Sequence, residues 1–150
     1  MRSVAVLPSL LLALAVAGGL AGCKGNSLDG KWNVSGVEGM MPGSTATYEF
    51  TGGQATMALD LKNPQIGEAV IKISGPYTVE GEKLKLGAQN VTIDDTKLNP
   101  VAKGLLTSPQ AKASLTKGLA ENNEYTVKFD SSDQVLLTGK KGTATLTRVK

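Results

Sequence analysis

At 150 residues, 41% hydrophobic and 19% charged, the chain has the size and composition of one folded domain with one core, and neither a disordered nor a fibrous profile. Its formal charge is only +3, its lysines are scattered and aromatics make up 4%, so no nucleic-acid partner is expected. It has no histidine and one cysteine, which removes the commonest proton shuttle, the usual partner of a nucleophile, an intrachain disulfide and most metal sites; neither an enzyme nor a metal or other cofactor is expected.

The chain opens with Met1-Arg2-Ser3, an apolar run from Val4 to Val16, and the small residues Ala17, Gly18 and Gly19. This is the three-part layout of a secretory signal, with an apolar segment short for a membrane-spanning helix. Leu20-Ala21-Gly22-Cys23 follows directly. These four residues resemble the lipobox of bacterial lipoproteins, an aliphatic residue and two small ones before a cysteine. The resemblance implies a signal peptide over residues 1–22, cut just before an acylated Cys23, with the lipid bilayer as the partner of that cysteine. Each buried CH₂ of an acyl chain adds roughly 0.8 kcal/mol to membrane attachment, so two or three chains anchor a protein that has no spanning helix. Lys24 stands where an aspartate is associated with inner-membrane retention, so a cell envelope location on the outer membrane, facing the periplasm, is expected where there are two membranes. Residues 23–27 then form a short polar tether and residues 28–150 the folded domain.

From there the pattern is strand, turn, strand. Lys31–Val37 places Trp32 and Val34 on one face, and Thr45–Thr51 does the same with Ala46, Tyr48 and Phe50. Gln54–Leu61 carries Ala55, Met57, Leu59 and Leu61 at alternate positions; Glu68–Ser74 carries Ala69, Ile71 and Ile73. Period-two alternation over consecutive segments predicts an antiparallel sheet with one wet face. Short turns at Gly52-Gly53, Glu80-Gly81-Glu82, Ser131-Ser132-Asp133 and Gly139-Lys140-Lys141-Gly142 make sequence neighbours into spatial neighbours, an all-β up-and-down meander. Asp94 and Asp95 are adjacent, so in a strand they point to opposite faces, which is not the geometry of a paired-carboxylate catalyst.

Between about residues 96 and 123 the period changes. Pro100 and Pro109 argue against a sheet, Ser108-Pro109 reads as an N-cap with proline in the first helical position, and Ala111, Leu115 and Leu119 recur every fourth residue. One short helix from about Pro109 to Ala120 is predicted, solvated and covering a sheet edge or a barrel mouth.

Leu28-Asp29-Gly30-Lys31-Trp32 resembles the L-x-G-x-W opening of lipocalin-like domains, and Gly75-Pro76-Tyr77-Thr78-Val79-Glu80-Gly81-Glu82-Lys83-Leu84-Lys85-Leu86 is similar to the G-x-Y-x-V-x-G-[DE]-x-L-x-L hairpin of their small bacterial members. Tyr48–Gly53 and Tyr125–Val149 have the look of their second-strand hairpin and closing strands. The resemblance implies a lipocalin-like barrel, closed or partly open, that acts as a non-catalytic binding or structural module and holds a small apolar ligand. A packed interior or small cavity is the expectation from composition, since few aromatics line the inward positions. The competing class is an interaction module that docks another envelope component through a sheet edge or the helical insert. Arg148 and Arg2 are the only arginines against fourteen lysines, and Arg148 shares strand parity with Ala144 and Leu146, on the inward face. In lipocalin-like domains a late-strand arginine packs over the first-strand tryptophan, which implies a barrel-closing pair of Trp32 and Arg148. The other reading of Arg148 is a solvent-facing residue at a frayed terminus.

Overall fold

The computed structural model describes residues 26–87 and 89–150, and within them the chain is mostly strand. In order the elements are β1 (Gly30–Ser35), β2 (Thr45–Thr51), β3 (Gln54–Asn63), β4 (Gly67–Glu80), β5 (Lys83–Leu86), β6 (Asn90–Leu98), α1 (Pro100–Leu106), α2 (Pro109–Glu121), β7 (Glu124–Ser131), β8 (Gln134–Gly139) and β9 (Gly142–Arg148). Every pairing is antiparallel, and β9 returns to pair with β1, Trp32 opposite Arg148 and Val34 opposite Leu146. Eight strands thus close a barrel, with β6 as a ninth strand attached to β4 alone.

Local chemistry sets most of these boundaries. Gly52 and Gly53 have φ of +58° and +77°, the left-handed pair that lets β2 turn into β3 in two residues. Gly36, at φ +77°, ends β1 two residues before the alternating pattern does. Along the strands, one parity alternates into the interior: Trp32, Phe50, Leu84, Val127, Val135 and Leu146 form the heart of one core cluster.

β4 is the organising strand. Its fourteen residues span about 43 Å at roughly 3.3 Å per residue, more than a barrel of this size needs. One edge pairs with β3 throughout Gly67–Pro76. The other edge is shared: Tyr77–Glu80 pairs with β5, and Gly67–Ser74 with β6. β5 and β6 run in the same direction along it, so they act as one long strand interrupted at residues 87–89 opposite Gly75 and Pro76. The interruption begins at Gly87, whose N donates to Pro76 O at 2.7 Å. Only β5 goes on to pair with β7. The far parts of β3, β4 and β6 therefore project past the barrel as a three-stranded flap, and the outer edge of β6 pairs with no described strand.

The helical insert departs from expectation in two ways. The sheet continues to Leu98, which sits opposite Gly67, while Lys97 Nζ meets Glu68 Oε2 at 3.1 Å, so the insert starts after residue 98 and not at about 96. It also contains two helices. Asn99 caps α1, its Oδ1 accepting from Ala102 N at 2.8 Å with Pro100 in the first turn, which repeats the chemistry of Ser108 and Pro109 at α2. α2 runs Pro109–Glu121 and buries no residue. It is a solvated helix, and α1, through the buried Ala102, is the one that touches the flap. Gly67 is indispensable to that end of the molecule: it adopts φ +101°, and a Cβ there would collide with the Lys97 carbonyl.

Candidate functional site

The two ends of the barrel are built differently. At the closed end, where β1 begins and β9 stops, Trp32, Phe50, Leu84, Val135 and Leu146 are all fully buried. Aromatic packing continues outward from them, Tyr77 edge-on to Phe50 with centroids 5.1 Å apart and Tyr48 stacked on it at 5.4 Å. Trp32 Nε1 donates to Leu28 O at 2.6 Å, so the one polar atom of the indole is satisfied within the seal.

The structure brings Trp32 and Arg148 together. The guanidinium carbon lies 4.1 Å from the indole centroid. All three guanidinium nitrogens are used as well: Nε donates to Ser132 O at 3.1 Å, Nη1 to Asp29 O at 2.7 Å and Nη2 to Ser27 O at 2.8 Å, while Asp133 Oδ1 stands 3.6 Å from Nε. A planar fork with several donors can stack and bind three carbonyls at once; a lysine ammonium cannot. Gly30 makes room for it, since a Cβ at that position, where φ is +113°, would come within 2.9 Å of Nη1. Tyr77 adds a further tie, its hydroxyl donating to Asp29 Oδ1 at 3.0 Å, and burial together with that carboxylate pushes its pKa up to about 12. Residues 27–29 are thus strapped across the closed end from several sides.

The opposite end is open. A cleft of about 280 Å³ enters the barrel there, its walls built from Val34, Ala46, Tyr48, Met57, Leu137 and Ala144, with Glu38, Lys140 and Lys141 at its rim. Burial raises the pKa of Tyr48 strongly and the proximity of Tyr125 raises it further, while burial alone raises that of Tyr125; both phenols stay neutral and can only donate or accept hydrogen bonds. Beside Tyr48 and Met57 a small void of about 10 Å³ reaches Gln89, whose Oε1 is buried without a hydrogen-bond partner among the described residues. The interior is therefore packed at one end and hollow at the other, which divides the expectation of a packed interior or small cavity between two halves. A second apolar cleft, about 240 Å³, lies between α1 and the flap, lined by Met41, Leu61, Ile66, Leu98, Ala102 and Leu105.

Cys23 and Leu20, Ala21 and Gly22, the residues that resemble a lipobox, lie outside the described residues. The two adjacent aspartates do separate. Asp94 is exposed and its pKa is lowered, chiefly by Thr96, whose hydroxyl and backbone N–H both donate to it, at 2.8 and 3.1 Å. Asp95 pairs with Lys103 of α1 at 3.3 Å. Sequence reasoning missed three features of the site: the strap of residues 27–29, Gln89 and α1. Only the last had a local signal, the dipeptide Asn99-Pro100. No protein-family model matches this chain, and no curated protein matches it.

Proposed function

We propose that this protein is a membrane-anchored lipoprotein of the bacterial cell envelope whose lipocalin-like barrel is a non-catalytic module holding a small apolar ligand in its open half. The observation that carries the ligand reading is the contrast inside one barrel: a cleft of about 280 Å³ with mostly apolar walls, backed by a fully packed floor. Concave, mostly apolar sites with a few convergent polar groups are where small molecules bind, and the neutral hydroxyls of Tyr48 and Tyr125 supply those groups. The anchoring reading rests on the lipobox-like Leu20-Ala21-Gly22-Cys23 and the apolar run before it.

Native mass spectrometry of the unacylated domain, purified from its own host, tests the ligand. A small molecule travelling with the protein, and lost when Ala144→Phe fills the mouth, is the expected result; a bare mass for the wild type removes the reading. Anchoring is tested separately by Cys23→Ser, which should release the domain from the membrane fraction or leave an uncleaved precursor. Processing and membrane retention like the wild type would exclude the lipobox.

A second reading is favoured by a specific surface. Val101 and Leu105 of α1 are 74% and 69% exposed beside the flap cleft, and the outer edge of β6 lies next to them. Apolar side chains grouped in this way suit docking to another envelope component. Paired Val101→Asp and Leu105→Asp substitutions that disrupt the protein's role without affecting ligand retention would favour this reading over the first.

A further inference from the structure

The strap across the closed end has a consequence for how the anchored protein stands on a membrane. We infer that the barrel is held with its closed end against the bilayer and its mouth turned away, so that the mouth is reached from the aqueous compartment and not from the lipid phase. The inference rests on the proposed acylation of Cys23.

Arg148 fixes the carbonyls of both Ser27 and Asp29, at 2.8 and 2.7 Å, and Tyr77 holds the Asp29 carboxylate. The chain is therefore not free to swing until residue 27. Cys23 is only four residues earlier, and four residues reach at most about 14 Å even when fully extended. The same end of the barrel carries the turns at Gly52-Gly53, Gly81-Glu82 and Ser132-Asp133; two of them are bonded to the residues that hold the strap, through Tyr77 N to Gly53 O and through Arg148 N to Asp133 O, each 2.9 Å. These turns are what a leash this short leaves facing the lipid headgroups.

The mouth lies at the other end of every barrel strand. From Arg148 to Gly142, β9 runs about 20 Å, which at the usual strand tilt is about 15 Å along the barrel axis. The rim lysines Lys140 and Lys141 sit beyond that. The flap and its helices extend farther on the same side, since β4 continues to Gly67 past the last residue that it pairs with β5. A freely jointed tether would allow the barrel to tumble and bring its mouth down onto the bilayer. The bonds of Arg148 remove that freedom without adding any contact to lipid. The closed-end turns carry Glu80, Glu82 and Asp133 with Lys83 and Lys150 beside them, a nearly balanced set with no net attraction to anionic headgroups, so the leash and not adsorption sets the orientation.

The test uses the full chain, expressed in a lipoprotein-processing bacterium, purified in acylated form and reconstituted in phosphatidylcholine vesicles containing a nitroxide-headgroup lipid. A fluorophore is attached through Glu82→Cys at the closed end or through Lys141→Cys at the mouth, Cys23 being blocked by its acyl chain. Quenching several-fold stronger at position 82 than at 141 is expected. Lengthening the leash with about twelve Gly/Ser residues between Asn26 and Ser27 adds roughly 40 Å of reach and should erase the contrast while leaving the fold and its unfolding midpoint untouched. Arg148→Gln should weaken the contrast in the same direction. Equal quenching at the two positions of the wild type, or stronger quenching at 141, overturns the orientation even if mass spectrometry shows the acyl chains, and a contrast that survives the long leash overturns the strap and short leash as its cause. A cleaved but unacylated protein overturns the anchoring reading and the orientation with it.

Discussion

The closed and open halves of this barrel are made from the same strands and differ in what the inward positions carry. At the closed end large residues meet: Trp32, Phe50, Leu84, Val135 and Leu146 leave no exposed area, and Arg148 and Tyr77 tie the entering chain over them. At the open end the same strands offer Val34, Ala46, Met57 and Ala144 beside Tyr48 and Leu137, and these leave a cleft of about 280 Å³ between them. One sheet thus carries a packed seal and a hollow a few residues apart along each strand. Changes at the closed end should register in folding, and, under the proposed function, changes at the open end in ligand retention.

The largest effect is expected from Trp32→Ala. Removing a fully buried tryptophan costs about 3–5 kcal/mol in comparable cores, and here it also leaves Arg148 without its stacking surface. Urea denaturation measures this; a loss below about 1 kcal/mol would mean that the closed end is not the main source of stability. Next comes Arg148→Lys, which keeps the charge but cannot serve the carbonyls of Ser27, Asp29 and Ser132 while stacking on Trp32. A loss of about 1–3 kcal/mol, with a changed Trp32 emission spectrum, is expected from the combined loss of stacking and hydrogen bonds. A variant like the wild type in both readouts would reduce the strap to a coincidence of position.

Alkaline pH sharpens the comparison further. Tyr77 is held protonated in the fold up to about pH 12, whereas in the unfolded chain it titrates near 10.0. A raised acid pKa means that the folded state keeps a proton which the unfolded state loses, so stability falls as pH rises from about 10 to 12. Tyr48 and Tyr125 are shifted in the same direction and add to the slope. Tyr77→Phe should flatten part of this dependence when unfolding midpoints are compared at pH 8 and pH 11, and an unchanged dependence would assign all of it to the mouth tyrosines. The smallest effect is expected from replacing residues 100–121 by a short Gly/Ser loop. α2 buries nothing and α1 buries only Ala102, while loop length changes closure entropy slowly, about 0.6 kcal/mol per doubling. Far-ultraviolet circular dichroism should keep its β signature; its collapse would make the insert part of the core.

The strands were legible because a half-wet antiparallel sheet imposes a period of two on its own sequence, and turns such as Gly52-Gly53 mark its corners. Register and closure leave no such local trace. Nothing within Lys83–Leu98 states that β5 and β6 lie along one edge of a single strand; that follows from where their partners sit on β4. α1 escaped for another reason. Its cap, Asn99-Pro100, is chemically equivalent to Ser108-Pro109, but seven residues are too few to display a helical period, and its apolar side chains Val101 and Leu105 face solvent. Parity and the scarcity of arginine singled out Arg148. Its hold on Ser27 and Asp29, 121 and 119 residues away in sequence, is a matter of tertiary structure alone.

The pairing of β1 with β9 joins the first described strand to the last. A chain made from its N-terminus cannot close this barrel until β9 has been made, because Trp32 has no lid before Arg148 arrives. Contacts so distant in sequence form slowly, which makes closure of the barrel a late step of folding. The same arrangement makes the barrel intolerant of early termination: a chain that stops at the β8–β9 turn has seven barrel strands and an uncovered edge, and is marked for removal by the surface it fails to bury.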